Sequence, residues 1–482
     1  MHILEITDGV TVSRVPFEGQ PMLDRLLSGT RFLPEHPCGG RGICGKCAVD
    51  ISGNVSGPVA REKELGVRLS CCVRLLGNAV LKVKSLPEMV IEGAGCTAGM
   101  PDESRTVTAA VDIGTTTIVM RILDSVTGEV LFSDGCRNPQ RDIAADVIGR
   151  ISAASQGRSA ELRALVENAI TGLAGKSGYR EKIIRYVITG NTTMLYLLTG
   201  LSPAALGVAP FRAGCLFGAE SVFDGRPAYL PRCIHAFAGA DLTCAMLAVD
   251  LCRKDFPALL CDIGTNGELA LYDGNHLYVT SVAAGPAFEG VGIRCGCAGV
   301  TGAISEVYRE HDHAAFRTVG GAPAVGLCGS GVIDAAAYAL NSGLADETGA
   351  MEEPLVLSGP VAFYPEDLRA VQTAKAAVAA GIARLLKTAG LKETDIKRFV
   401  VCGGFGAAMN PASAVRIGLF PACFLPVAEY AGNAALAGAC RLLTDPDAAE
   451  ACEKLTDMAR HVDLGGDSEF NNLFIDHMIF PE

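Results

Sequence analysis

The tetrapeptide Asp-Ile-Gly-Thr occurs twice, at Asp112–Thr115 and again 150 positions later at Asp262–Thr265. Each copy closes an apolar strand, Thr108–Ile113 or Ala258–Ile263, and precedes a second apolar run. A motif repeated at domain spacing marks an internal duplication, and so a chain built from two related α/β halves. A strand–glycine–hydroxyl–strand hairpin presents backbone N–H groups and hydroxyls at its tip, which suits phosphate oxygens. Gly114, Thr115 and Thr116 do this in the first copy; Gly264, Thr265 and Asn266 do it in the second. The leading Asp112 and Asp262 are placed to orient the waters of a hydrated Mg²⁺ that bridges to phosphate. A third glycine cluster, Gly403, Gly404 and Gly406, follows the strand Arg398–Cys402. Missing side chains there let a planar group such as adenine lie on the backbone. Singly, each turn reads equally well as an ordinary hairpin. Two such hairpins, one per lobe, would grip a nucleotide in the cleft between them, with the third cluster against its base.

The N-terminal part carries different chemistry. Cys38, Cys44 and Cys47 fall within ten residues in the run Cys-Gly-Gly-Arg-Gly-Ile-Cys-Gly-Lys-Cys, and a fourth cysteine, Cys71 or its neighbour Cys72, arrives from a distant segment. Such a loop wraps a small iron–sulfur cluster, with [2Fe–2S] favoured over [4Fe–4S]. Its glycines permit the positive φ values by which the backbone N–H groups face the inorganic core. Structural zinc is the competing reading, but zinc ribbons favour two matched C-x2-C knuckles and this chain has one. Cys295-Gly-Cys297 lacks further clustered ligands and reads as structural.

Composition sets the context. At 482 residues the chain needs several cores, and its 49% apolar and 20% charged content is that of folded protein. A net charge of −12 without a basic block argues against nucleic acid. No apolar run reaches the ~18 residues of a membrane span, and the N-terminus lacks the pattern of a signal peptide. Nineteen cysteines without an export signal point to reduced thiols in a low-oxygen cytoplasm.

The texture divides the chain into residues 1–86, a small β-rich α+β domain; 87–106, a linker punctuated by Gly and Pro; 107–257, the first ATPase lobe; and 258–482, the second. In the first domain a hairpin (Met1–Ile6 and Val10–Pro16), a short helix (Pro21–Leu27), the cysteine loop and strands Ala48–Ile51 and Ala79–Val83 resemble the β-grasp fold of [2Fe–2S] ferredoxins. Thr373–Ala389 is the clearest amphipathic helix of the second lobe. The ordered glycine turns resemble the two-lobed α/β ATPase superfamily of actin, sugar kinases and heat-shock chaperones (ASKHA, ribonuclease H-like).

The combination is similar to the reductive activators of corrinoid proteins. Further segments carry the resemblance: Thr189-Gly-Asn-Thr-Thr-Met194, Phe237-Ala-Gly-Ala-Asp241, Gly285-Pro-Ala-Phe-Glu-Gly290 and Gly326-Leu-Cys-Gly-Ser-Gly331. Arg68-Leu-Ser-Cys71 matches the family's distal ligand motif and so favours Cys71 over Cys72. The resemblance implies an ATP-hydrolysing enzyme that takes an electron from an external low-potential donor through a [2Fe–2S] cluster. The electron returns the Co(II) of a corrinoid protein to Co(I) and so supports methyl transfer. A homodimer is also implied. Asp112 and Asp262 are the expected metal-water aspartates. Asp241 is a candidate for positioning the attacking water, or else an N-cap of the helix that follows it. Two other classes fit less completely: an ATP-dependent activator of a dehydratase- or reductase-type enzyme, and a redox- and ATP-sensing binding module without turnover.

Overall fold

In a computed structural model the described residues are 1–7, 12–27, 34, 40–43, 45, 47–83, 95–96, 105–403 and 409–481. The N-terminal sheet runs Val12–Phe17, His2–Thr7, Leu75–Lys82, Ala48–Val55, Arg68–Leu69. Its one parallel pairing joins the first and last long strands, His2–Thr7 and Leu75–Lys82. The other pairs are antiparallel, as a β-grasp requires. Alternate residues Leu4, Ile6, Leu75, Ala79 and Leu81 face Leu23 and Leu27 of the helix Leu23–Leu27 and close a small core. Sequence reading missed the helix Ala60–Leu65, whose start is held by the buried carboxyl of Glu62 accepting from the Val59 N–H at 2.8 Å. Within the expected linker, Gly95–Cys96 pairs with the edge strand Val130–Arg137 of the next sheet.

The duplication legible in the two Asp-Ile-Gly-Thr motifs extends to topology. In the first lobe Val107–Ile113, Thr117–Asp124 and Val130–Arg137 form an antiparallel meander. Ile183–Gly190 and then Arg226–Leu230 add to Val107–Ile113 in parallel. In the second lobe Ala258–Ile263, Gly267–Tyr272 and Leu277–Val282 form the same meander. There Arg398–Cys402 and then Ala428–Tyr430 add in parallel on the corresponding side. The central strands are buried on both faces, which is why they read as unbroken apolar runs.

Each sheet is covered by helices, and two of these helices are exchanged. The helix Ala240–Ala248 follows the first sheet in sequence, yet its Leu242, Ala245 and Met246 pack with Ala258, Leu260 and Val400 of the second. The helix Ala434–Thr444 belongs to the second lobe, yet its Leu436 and Ala439 pack with Ala110, Leu123 and Val187 of the first. Elsewhere the amphipathic helix starts earlier than its apolar stripe indicates and spans Pro365–Ala389. Pro365 occupies the first turn, and Asp367 accepts from the Tyr364 N–H at 3.0 Å, an N-terminal signal that lies ahead of the stripe.

The two exchanged helices meet at Gly438, where a Cβ would stand 2.0 Å from the Cys244 carbonyl oxygen. Gly438→Ala must push the helices apart across the lobe junction. We expect a loss of about 3 kcal/mol, seen as a lower calorimetric melting temperature of the full chain; an unchanged melt would mean that the crossing is loose.

Candidate functional site

The repeat brings the two hairpin tips face to face. Each turn is closed by a short backbone bond, Gly114 N–H to Thr117 O and Gly264 N–H to Asn266 O, both 2.9 Å. The tips then approach one another until the hydroxyls of Thr116 and Thr265 are 3.5 Å apart. Thr115 turns the other way: it is buried, and its hydroxyl accepts from Asn191 Nδ2 at 3.3 Å. Asn191 also caps the helix Thr192–Thr199 by accepting from the Met194 N–H, so it ties the first hairpin to that helix.

Behind the tips, Asp112, Asp241, Asp262 and Glu268 share the floor of the cleft, all half-buried. Burial pushes Asp112 up to about 6 against a hydrogen bond from Asn433 that pulls it down. Burial and the neighbouring Asp112 charge raise Asp262 to about 7. Asp241 also rises to about 7, through burial and then the charges of Asp112 and Asp262. Glu268 is pushed well up by burial and by Asp241 and Asp262. Asp241 is not the helix N-cap: Gly239 holds that position and Asp241 stands in the first turn, beside the other carboxyls.

Among the described residues, no three His, Cys, Asp or Glu side chains converge closely enough to hold a bare metal ion. The four carboxyls instead make a negative floor suited to a hydrated cation, which keeps most of its waters. Gly403, with φ of 104°, lies against this floor; a Cβ there would come within 2.5 Å of the Ile263 carbonyl oxygen. Gly404 and Gly406 lie outside the described residues.

Three groups at the site were not singled out from sequence. Asn433 caps the helix Ala434–Thr444 and donates to Asp112 Oδ2 at 2.9 Å, from a position 321 residues away. Arg150 is fully buried beneath the first hairpin. It donates to the Thr115 carbonyl at 2.5 Å, to the Ala144 carbonyl at 3.1 Å and to Gln140 Oε1 at 3.1 Å, and burial lowers it to about 9. Glu289 reaches both hairpin tips. Asn433 had a local signal, an Asn opening an Ala-rich helix, whereas nothing local marks Arg150.

In the N-terminal domain Cys47 and Cys71 are buried with sulfurs 3.2 Å apart, and Cys72 Sγ lies 3.8 Å from that of Cys71. Cys38 and Cys44 lie outside the described residues. Gly42 has φ of 70° and a Cβ there would fall 2.8 Å from Cys72 Sγ, so the loop closes tightly over these sulfurs. Burial, Cys47 and Cys72 push the Cys71 thiol far up. Crowded thiols of this kind ionise readily only around a cationic centre, so the residues present fit a thiolate-held cluster.

A duplicated α/β fold whose halves each contribute a phosphate-type hairpin to one acidic cleft is a two-lobed ATPase of the ASKHA class. A family model described as the C-terminal domain of RACo, the ASKHA domain, matches residues 257–482, and one described as the RACo middle region matches residues 107–254. The corrinoid activation enzyme RamQ of Eubacterium limosum is 31% identical over 419 residues, 77% of this chain and 70% of that protein. A Co(II) methylated-amine-specific corrinoid protein reductase of Methanosarcina barkeri is 29% identical over 292 residues, 55% of this chain and 53% of that one. A solved structure described as a reductive activator for corrinoid, iron-sulfur protein shares the fold with a TM-score of 0.73 at 22% identity, covering 100% of this chain and 99% of that one. The chain belongs to the RACo family of reductive activators of corrinoid proteins.

The raised carboxyls carry a testable pH dependence. A carboxyl whose pKa is higher folded than unfolded holds its proton more tightly in the folded chain. Its stabilising contribution is therefore present at low pH and is lost as pH rises from the unfolded value of about 4 through the folded values of about 6 for Asp112 and about 7 for Asp241 and Asp262. The nucleotide-free chain should melt lower at pH 8 than at pH 5, and Asp241→Asn should shrink the difference. Melting that is flat across this window, or unaltered by the substitution, would contradict the carboxyl cluster.

Proposed function

We propose that this chain reactivates a corrinoid protein by ATP-driven one-electron reduction of its cobalt from Co(II) to Co(I). The observation that carries the reading is the pair of facing hairpins over an acidic floor, in a chain that also gathers buried cysteines under a glycine loop. In the ATPase, Thr116 and Thr265 donate to the phosphates, joined by backbone N–H groups around Gly114, Gly264 and Asn266. Thr115 shapes its hairpin from the inside. Asp112 and Asp262 orient the waters of Mg²⁺, whose charge favours their ionised forms. Asp241, raised toward neutrality, is suited to orient the attacking water and accept its proton. Gly403, with Gly404 and Gly406, supplies the bare backbone for the adenosine.

Cys38, Cys44, Cys47 and Cys71 hold the cluster in this reading. When bound, a [2Fe–2S] group supplies a one-electron relay from an external low-potential donor. The protein's part is to bury the thiolates and set the loop close to its partner. ATP contributes through differential binding: it favours the complex with the corrinoid protein in which Co(II) is easier to reduce.

The test is anaerobic visible spectroscopy of a Co(II) corrinoid protein mixed with this chain, a mild reductant and MgATP. The Co(I) band should grow only with ATP, and Cys47→Ser or Asp262→Ala should abolish it. Asp241→Asn should lower ATP turnover about 100-fold. Iron analysis should find two irons per chain. A chain that binds nucleotide and holds its iron yet reduces no corrinoid partner would instead serve another low-potential enzyme.

A further inference from the structure

The roles above leave Glu289 unused, yet it is the side chain that joins the two hairpins. Thr116 Oγ1 donates to its Oε2 at 2.5 Å, and Thr265 Oγ1 donates to its Oε1 at 2.7 Å. One carboxylate thus accepts from a hydroxyl on each lobe, at the point where the tips come together. An anion accepting from both tips is what the end of a polyphosphate offers to the same hydroxyls.

The backbone under Glu289 is fixed. It ends the turn Pro286–Glu289, whose Phe288 is fully buried. The next residue, Gly290, has φ of 75°, and a Cβ there would strike the Cys297 carbonyl oxygen at 2.4 Å. The close approach requires glycine there and so holds the turn in place, while Glu289 itself is only half-buried. Only the carboxylate needs to move when a second anion enters.

We propose that Glu289 is an internal anion that stands in for the terminal phosphate in the nucleotide-free cleft, so that ATP must displace it and ADP need not. The inference rests on the ATPase reading above. ADP ends one phosphate earlier and leaves the Thr116–Glu289–Thr265 bridge in place. ATP brings its terminal phosphate to the same two hydroxyls, and two anions cannot share them. The bridged state then corresponds to empty or ADP-bound protein and the released state to ATP. Glu289 therefore sets the discrimination between the two nucleotides, at a cost in ATP affinity.

Calorimetric titration of the full chain with Mg²⁺ and either ADP or a non-hydrolysable ATP analogue tests this. Glu289→Ala should tighten the analogue about tenfold, since two hydrogen bonds to a charged group no longer compete, and should leave ADP within about twofold. Glu289→Gln, which keeps the size and removes the charge, should fall between. If the Ala variant does not fold, the Gln variant decides by the same criterion. An equal change for both nucleotides, or weaker analogue binding, would overturn the stand-in role and place Glu289 among the groups that hold ATP. If the unsubstituted chain binds neither nucleotide, the ATPase reading fails first and this inference falls with it.

Discussion

Like charge concentrated at the floor of the cleft is the constraint to which the surrounding structure answers. Asp112 and Asp262 come from equivalent strand ends of the duplicated halves, Glu268 from the strand beside Asp262, and Asp241 from the first turn of an exchanged helix. On top of burial, Asp112 raises the proton affinity of Asp262 and Asp241, Asp262 that of Asp241 and Glu268, and Asp241 that of Glu268. A hydrogen bond from Asn433 eases Asp112 and one from the Leu242 N–H eases Asp241. Such a group is poor at stabilising the fold by itself and well suited to receiving a cation with its phosphates.

Positive charge is placed on the other side of the first hairpin. Arg150 hydrogen-bonds to carbonyls, an amide oxygen and the Met194 sulfur, and the carboxylates of Asp146 and Glu289 favour its charged form. Its guanidinium fork fixes the Thr115 carbonyl while Asn191 fixes the Thr115 hydroxyl, leaving Thr116 to face the opposite lobe. The hairpin tip is thus braced before any ligand arrives, which is what electrostatic preorganisation requires.

Much of this was legible where chemistry is written into consecutive residues. The two Asp-Ile-Gly-Thr hairpins, the strands that feed them and the amphipathic helix all announce themselves by local pattern. The parts that were not legible are those that long-range packing creates. Asn433 and Asp112 are neighbours because an exchanged helix crosses the lobe junction, and Arg150 reads locally as a surface residue of a short helix. Asp241 was ambiguous because an acidic residue at a helix start is common; the placement of Gly239 as the N-cap resolves its position but is not marked in sequence. The choice of Cys71 over Cys72 came from a family motif, and the structure sets both sulfurs within reach of one another.

The exchange of helices means that the covalent halves and the physical halves of the ATPase do not coincide. Part of the cover over one face of the second sheet is encoded before residue 249, and part of that over one face of the first sheet after residue 433. A chain emerging N-terminus first would complete the first sheet and leave one face of it partly bare until nearly all of the second lobe has been made. The cover of the first sheet is therefore complete only when most of the chain has been made. A break in the connection between Ala248 and Ala258 would give two pieces, each lacking part of a cover that only the other can supply.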